Sequence, residues 1–210
     1  EAVLLVELDG LSESVIAQSS NIRGIFDKNN ASEIRESDDP EQREILWATR
    51  KGAIGAFGTI APNYYLVDGV VPRTKLRAIM RDISVIGKEL NLIIGNVFHA
   101  GDGNLHPCIL FDERNENEVI RVIEAGEKIL SLCAEYGGAL SGEHGIGIEK
   151  QAYMPLVFSD IDMLAMKALR EAFLHPDYDV FKGENPDVVM GQDRSALFNP
   201  GKIFPGGAIH

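Results

Sequence analysis

Apolar and polar positions change period several times along the 210 residues, and each change marks an element. Residues 2–8 are almost continuously apolar and predict a buried strand. Ser12 is placed to cap a helix running to about Asn30, with Val15, Ile16, Ile22, Ile25 and Phe26 on its inner face. Residues 31–37 predict a short edge strand. Asp39-Pro40-Glu41-Gln42 then reads as a helix start: Asp39 caps, Pro40 takes the first position and Gln42 is placed to close a capping box. Residues 64–71 predict a strand. A helix from Pro72-Arg73 to about Leu90 carries Leu76, Ile79, Met80, Ile83 and Ile86 on one stripe.

Residues 92–99 and 105–111 predict the two strands of a hairpin. Residues 116–136 alternate as a long amphipathic helix, stopped by Gly137-Gly138. Residues 160–173 predict the last helix, and the chain from His175 onward is rich in Pro, Gly, Asn and Asp. Short strands and helices interleave, one direct hairpin is present, and no Gly-rich phosphate loop follows a strand. The expected class is α+β: ferredoxin-like, a mainly antiparallel sheet with helices on one face.

The hairpin carries the first candidate chemistry. Asp102-Gly103 is a strong two-residue turn signal. Such a turn pairs Gly101 with Asn104, Ala100 with Leu105 and His99 with His106. Facing histidines with Cβ atoms about 4.5–5.5 Å apart suit a shared metal ion. The competing reading is a polar turn with two surface histidines.

A second group is Ser141-Gly142-Glu143-His144-Gly145-Ile146-Gly147. Adjacent side chains on a regular strand point to opposite faces, but flanking glycines can bend the chain so that both serve one site. Glu143 would complete a two-His, one-carboxylate set with open positions. His144 would remain free for proton transfer, since imidazole titrates near neutral pH. The competing reading is a Gly-rich turn before a helix. Arg50 offers a bidentate fork for a carboxylate, although locally a solvated helix arginine is the better explanation.

Composition narrows the class. A formal net charge of -12 argues against non-specific nucleic-acid binding. A hydrophobic content of 45% is enough for a globular core. The two cysteines, Cys108 and Cys133, lack a CxxC pattern, which points to a reducing compartment. Cys108 falls on the histidine face and reads either as an extra ligand or, preferably, as a small buried hydrophobe; Cys133 reads as core, and His175 and His210 as loop residues without a role. No apolar run reaches the length of a transmembrane helix, and no signal peptide is visible. The chain opens on a strand-like run without an initiator Met, as expected of a piece of a longer protein.

Five segments together resemble the C-terminal domain of the FAD-linked oxidases of the vanillyl-alcohol oxidase type, on the glycolate oxidase and D-lactate dehydrogenase branch. They are Leu46-Trp47-Ala48-Thr49-Arg50-Lys51, Tyr64-Tyr65-Leu66-Val67-Asp68-Gly69, residues 96–107, residues 141–147 and Asn199-Pro200-Gly201-Lys202. The resemblance implies one domain over residues 1–210, with a flavin-binding domain lying outside it.

It also implies a function: oxidation of a small 2-hydroxy acid to the 2-oxo acid, with hydride passed to FAD. His99, His106 and Glu143 would hold a divalent metal, zinc by its ligand types. His144 would act as general base, Arg50 would pair with the substrate carboxylate, and Asn199 would contact the flavin. Relatives that take dicarboxylic hydroxy acids carry a Lys near the position of Leu66, so glycolate or D-lactate is favoured. Residues 175–194 read as an insertion.

The resemblance further implies oxidase partner subunits, an iron–sulfur protein among them, in the cytoplasm or peripheral to the inner membrane. Two other classes fit the same residues: a non-catalytic metal-binding or assembly module, and a zinc-dependent hydrolase.

Overall fold

In the computed structural model, residues 2–174 are described, and they divide into two compact units at Ala56–Phe57. The first unit contains α1 (Ser12–Lys28) and α2 (Pro40–Ala56). Asp39 does cap α2: its Oδ2 accepts the Gln42 amide at 2.8 Å. Helix α1 is capped differently from expectation, since Leu11 occupies the cap position and no side chain bonds the first turn. Neither helix has a fully buried residue; Val15, Ile22 and Phe26 are half-buried, while Ile16 and Ile25 are exposed.

The strands expected at residues 2–8 and 31–37 do not form. Both segments lack a ladder partner among the described residues. An apolar run becomes a strand only when another strand takes up its N–H and C=O groups.

The second unit holds the sheet. Strands β1 (Asn63–Leu66), β3 (Ile93–Asn96) and β5 (Pro107–Phe111) form an antiparallel sheet in the order β1-β5-β3. Strands β2 (Gly69–Val70) and β4 (Asn104–Leu105) pair antiparallel beside it. Leu66 lies opposite Cys108, and Gly69 opposite Leu105. These pairs belong to one register, so β1–β2 and β4–β5 are a single long ribbon, interrupted at residues 67–68 on one strand and at His106 on the other. Counting through the gap places Asp68 directly opposite His106.

Alternation gives the ribbon two distinct faces. Val67, Val71, Leu105, Ile109 and Phe111 face α3 (Leu76–Glu89) and α4 (Glu116–Glu135). They pack with Ile79, Ile83 and Ile86 from α3 and with Val122, Ala125, Ile129 and Leu130 from α4. Asp68 and His106 are out of phase with this set and point to the opposite face. Asn115 caps α4 by accepting the Glu118 amide, and Gly137, with φ of 76°, ends it. The last helix, α5 (Asp160–Leu174), lies where the periodicity placed it.

The hairpin register differs from the expectation. His99 pairs with Asn104, and the Val97 amide reaches the His106 carbonyl at 3.3 Å. The connection is therefore residues 100–103 rather than Asp102-Gly103 alone. Both the Asp102 and Gly103 amides donate to the His99 carbonyl at 3.1 Å. Gly103 has φ of 75°, and a Cβ there would lie 2.1 Å from the Val71 carbonyl oxygen. The longer connection fits because β2 crowds the turn from the side. The ladder has slipped by two residues, an even number, so both histidines keep the face expected of them.

Candidate functional site

His106 stands on the ribbon with 4% of its surface exposed, and His99 stands exposed at the rim. Their rings meet edge to face, with centroids 5.6 Å apart. They are diagonal neighbours across the ladder rather than a facing pair. The loop of residues 141–147 brings the other groups. Glu143 Oε1 lies 2.9 Å from His106 Nε2 and 3.6 Å from His144 Nε2. The His144 ring stacks on that of His106, 5.1 Å between centroids and 14° from parallel.

Adjacent residues thus serve one site, and the reason is Asp68. Its side chain has no exposed surface, and three consecutive backbone amides converge on it. Gly142 N donates at 3.1 Å, Glu143 N at 3.2 Å and His144 N at 3.0 Å. Ser141 Oγ donates at 2.6 Å and in turn accepts the Gly145 amide at 2.7 Å. Successive N–H groups folded around an anion form a concave nest. Curling the backbone inward turns both the Glu143 and His144 side chains toward His106.

A Cβ at Gly142 would fall 2.3 Å from Asn104 Oδ1, so a side chain there has to displace the Asn104 amide. Gly145 and Gly147, with φ of 85° and 55°, let the chain leave the nest.

Lys150 neutralises the buried anion. Its ammonium donates to the Asp68 carbonyl at 2.7 Å and to Oδ2 at 3.2 Å, with 5% of the residue exposed. Burial alone would push the Asp68 carboxyl up. The Ser141 hydroxyl, the Lys150 charge and the His144 amide outweigh it and hold the carboxyl down to about 2. Burial lowers Lys150 in turn, against the pull of Asp68.

Two donor sets share His106. In one, ligand atoms of His99, His106 and Glu143 all lie within 4.8 Å of one another; in the other, those of Asp68, His106 and His144 do. The first is the better cation site. The Asp68 carboxylate is already engaged by backbone, hydroxyl and ammonium donors, whereas the half-exposed Glu143 carboxylate faces the His106 and His144 rings.

Burial and the neighbouring His144 push the His106 imidazole below its ordinary value. The shift favours the neutral ring, the form that ligates metals. His106 Nδ1 and Asn104 Oδ1 are buried without a hydrogen-bond partner in the described residues. A two-His, one-carboxylate donor set fits a divalent ion.

Of the residues named from sequence, His99, His106, Glu143 and His144 lie together. Arg50 is half-buried on α2 in the first unit. Asn199, together with the 175–194 segment, lies outside the described residues. Cys108 and Cys133 are both buried, and burial raises the Cys133 thiol to about 12, as expected of packing cysteines rather than ligands.

Sequence reasoning missed Asp68, Lys150 and Asn104 as parts of the site and gave Ser141 no role of its own. The available signal was a lone acid in the apolar run 65–71. No helix among the described residues is long and apolar enough to cross a membrane.

Comparison with known proteins agrees with this architecture. Residues 1–173 match the family described as FAD linked oxidases, C-terminal domain. The chain is 40% identical over 205 residues to the glycolate oxidase subunit GlcD of Escherichia coli (strain K12), covering 98% of this chain and 37% of that protein. It is 33% identical over 204 residues to GlcD of Bacillus subtilis (strain 168), covering 97% and 39% respectively. It is 27% identical over 207 residues to the mitochondrial cytochrome D-lactate dehydrogenase of Arabidopsis thaliana, covering 96% and 33%. The chain thus spans less than two fifths of each of these relatives.

Proposed function

The chain belongs to the family of FAD linked oxidase C-terminal domains, and on that premise we propose that it is the substrate- and metal-binding part of a flavin-dependent 2-hydroxy acid dehydrogenase. The observation that carries this reading is the convergence of His99, His106, Glu143 and His144 on one face of the ribbon. Bound FAD supplies the hydride acceptor, and a bound divalent ion, zinc by the donor set, supplies Lewis acidity toward the substrate oxygens. The FAD is held mainly by sequence outside these residues.

His99, His106 and Glu143 are the ion's ligands. His144 is the general base that takes the substrate hydroxyl proton. Its ring is oriented for this by stacking on His106 and by the hydrogen bond that its backbone N–H donates to the Asp68 carboxylate. Arg50 is assigned the substrate carboxylate on its chemistry alone, because a guanidinium binds a carboxylate through two parallel hydrogen bonds. Asn199 is assigned a flavin contact on the resemblance alone.

Leu66, in place of a cation, favours a small monocarboxylate, glycolate or D-lactate. The partners proposed are further oxidase subunits, an iron–sulfur protein among them, in the cytoplasm or peripheral to the inner membrane. These rest on the resemblance and on the name of the glycolate oxidase subunit.

Metal analysis of the full-length flavoprotein tests the centre. His99→Ala and His106→Ala should each lose the metal, and unchanged content in both would refute the assignment. His144→Ala should keep the metal while slowing flavin reduction by glycolate or D-lactate about 100-fold. Reduction at the normal rate would remove His144 as the base.

A further inference from the structure

We propose that Asp68, with Lys150 as its counter-ion, is the positioning residue of the metal centre: it sets where Glu143 and His144 stand relative to His106. The proposal rests on the reading of His99, His106 and Glu143 as metal ligands.

Geometry carries the argument. The hydrogen bonds that Asp68 receives from Glu143 and His144 come from their backbones. Asp68 holds these amides, at 3.2 and 3.0 Å, together with that of Gly142. The strand register places the same residue opposite His106. One carboxylate is thus anchored on the strand that pairs with the first ligand's strand, and it grips the loop that brings the third.

An ordinary structural hydrogen bond would not need a full charge there. Burying a carboxylate completely is costly unless it is paired. This one is paired by a lysine that is itself buried and reaches both its carbonyl and its Oδ2. A neutral amide at position 68 could accept from the loop through one oxygen only. Its NH2 would face amide N–H groups as a second donor, so part of the nest would open. Outer groups that hold ligands typically change metal affinity about 10- to 100-fold when removed.

The test is zinc affinity of the full-length protein, titrated with zinc alone against a competing chelator, under conditions where each variant is folded. Asp68→Asn should weaken zinc about 10- to 100-fold while cooperative unfolding is retained. Lys150→Arg, which keeps the charge, should stay close to the parent affinity. The double change Asp68→Asn with Lys150→Met should recover part of the loss, because the ammonium is no longer left unpaired.

Zinc binding by Asp68→Asn as tight as the parent overturns the proposal while leaving the metal centre standing. Parent-like binding by His106→Ala overturns the metal reading itself, and this proposal with it. If Asp68→Asn does not fold, Ser141→Ala decides. It removes one donor to Asp68 and should weaken zinc by about tenfold; parent-like affinity in that folded variant overturns the proposal.

Discussion

The site is supplied by two regions that hold their side chains in opposite ways. The hairpin positions His99 and His106 by a ladder: each stands where a backbone register puts it, and the register is fixed by a buried face on the other side of the sheet. The 141–147 loop has no ladder around Glu143 and His144. It is held from inside, by amides wrapped on a buried anion. A ladder spreads its hold over many weak bonds, whereas a nest concentrates it in one residue. Single substitutions should therefore damage the loop's function more selectively and the hairpin's fold more broadly.

The largest expected effect sets ligand against ligand. His106→Ala should lower zinc affinity by more than about 100-fold, beyond what any supporting residue achieves. Calorimetric titration would show whether Asp68→Asn stays above that level. If it does not, the distinction between ligand and support is lost.

Next comes the hairpin's turn. Gly103→Ala puts a Cβ against the Val71 carbonyl and strains a positive φ, so urea denaturation should show a loss of about 3 kcal/mol. A loss under 1 kcal/mol would show that the ladder tolerates what its geometry forbids.

The third effect is acid sensitivity. The Asp68 carboxyl lies near 2 when folded and about 3.9 when unfolded. Its folded value is depressed, so its contribution is complete above about pH 4 and is lost as pH falls toward 2. Stability should drop by about 2 kcal/mol across that interval, and Asp68→Asn should flatten this step. An unchanged acid profile in the variant would place the acid sensitivity elsewhere.

The smallest effect is at Gly142→Ala. The clash there is with the Asn104 side chain, which can give more readily than backbone, so about 1 kcal/mol of stability should be lost. Zinc affinity should nevertheless fall, because the nest is pushed off Asp68. Equal proportional losses of stability and affinity would erase the contrast between the two regions.

These differences also decide what was legible in the sequence. The histidine face was legible, because alternation assigns faces and an even slip preserves them. The register was not, since Asp102-Gly103 resembles a tight turn and nothing local reports that β2 crowds Gly103. The Glu143–His144 pairing was legible as a possibility from the flanking glycines. Its cause was not, because Asp68 lies 75 residues away from Glu143 and acts on backbone rather than on a side chain.

The helices α3, α4 and α5 emerged where periodicity put them, since each shows its apolar stripe within its own segment. Residues 2–8 misled for the opposite reason: apolar content alone does not provide a partner strand.

The stacked rings of His106 and His144 have a consequence of a spectroscopic kind. With centroids 5.1 Å apart and planes 14° from parallel, each imidazole lies within reach of the other's ring current. Their carbon-bound protons therefore resonate away from those of a free histidine. The loop's seat on the sheet is thereby written into a proton spectrum, where any release of the nest can be watched as a signal returning to its ordinary place.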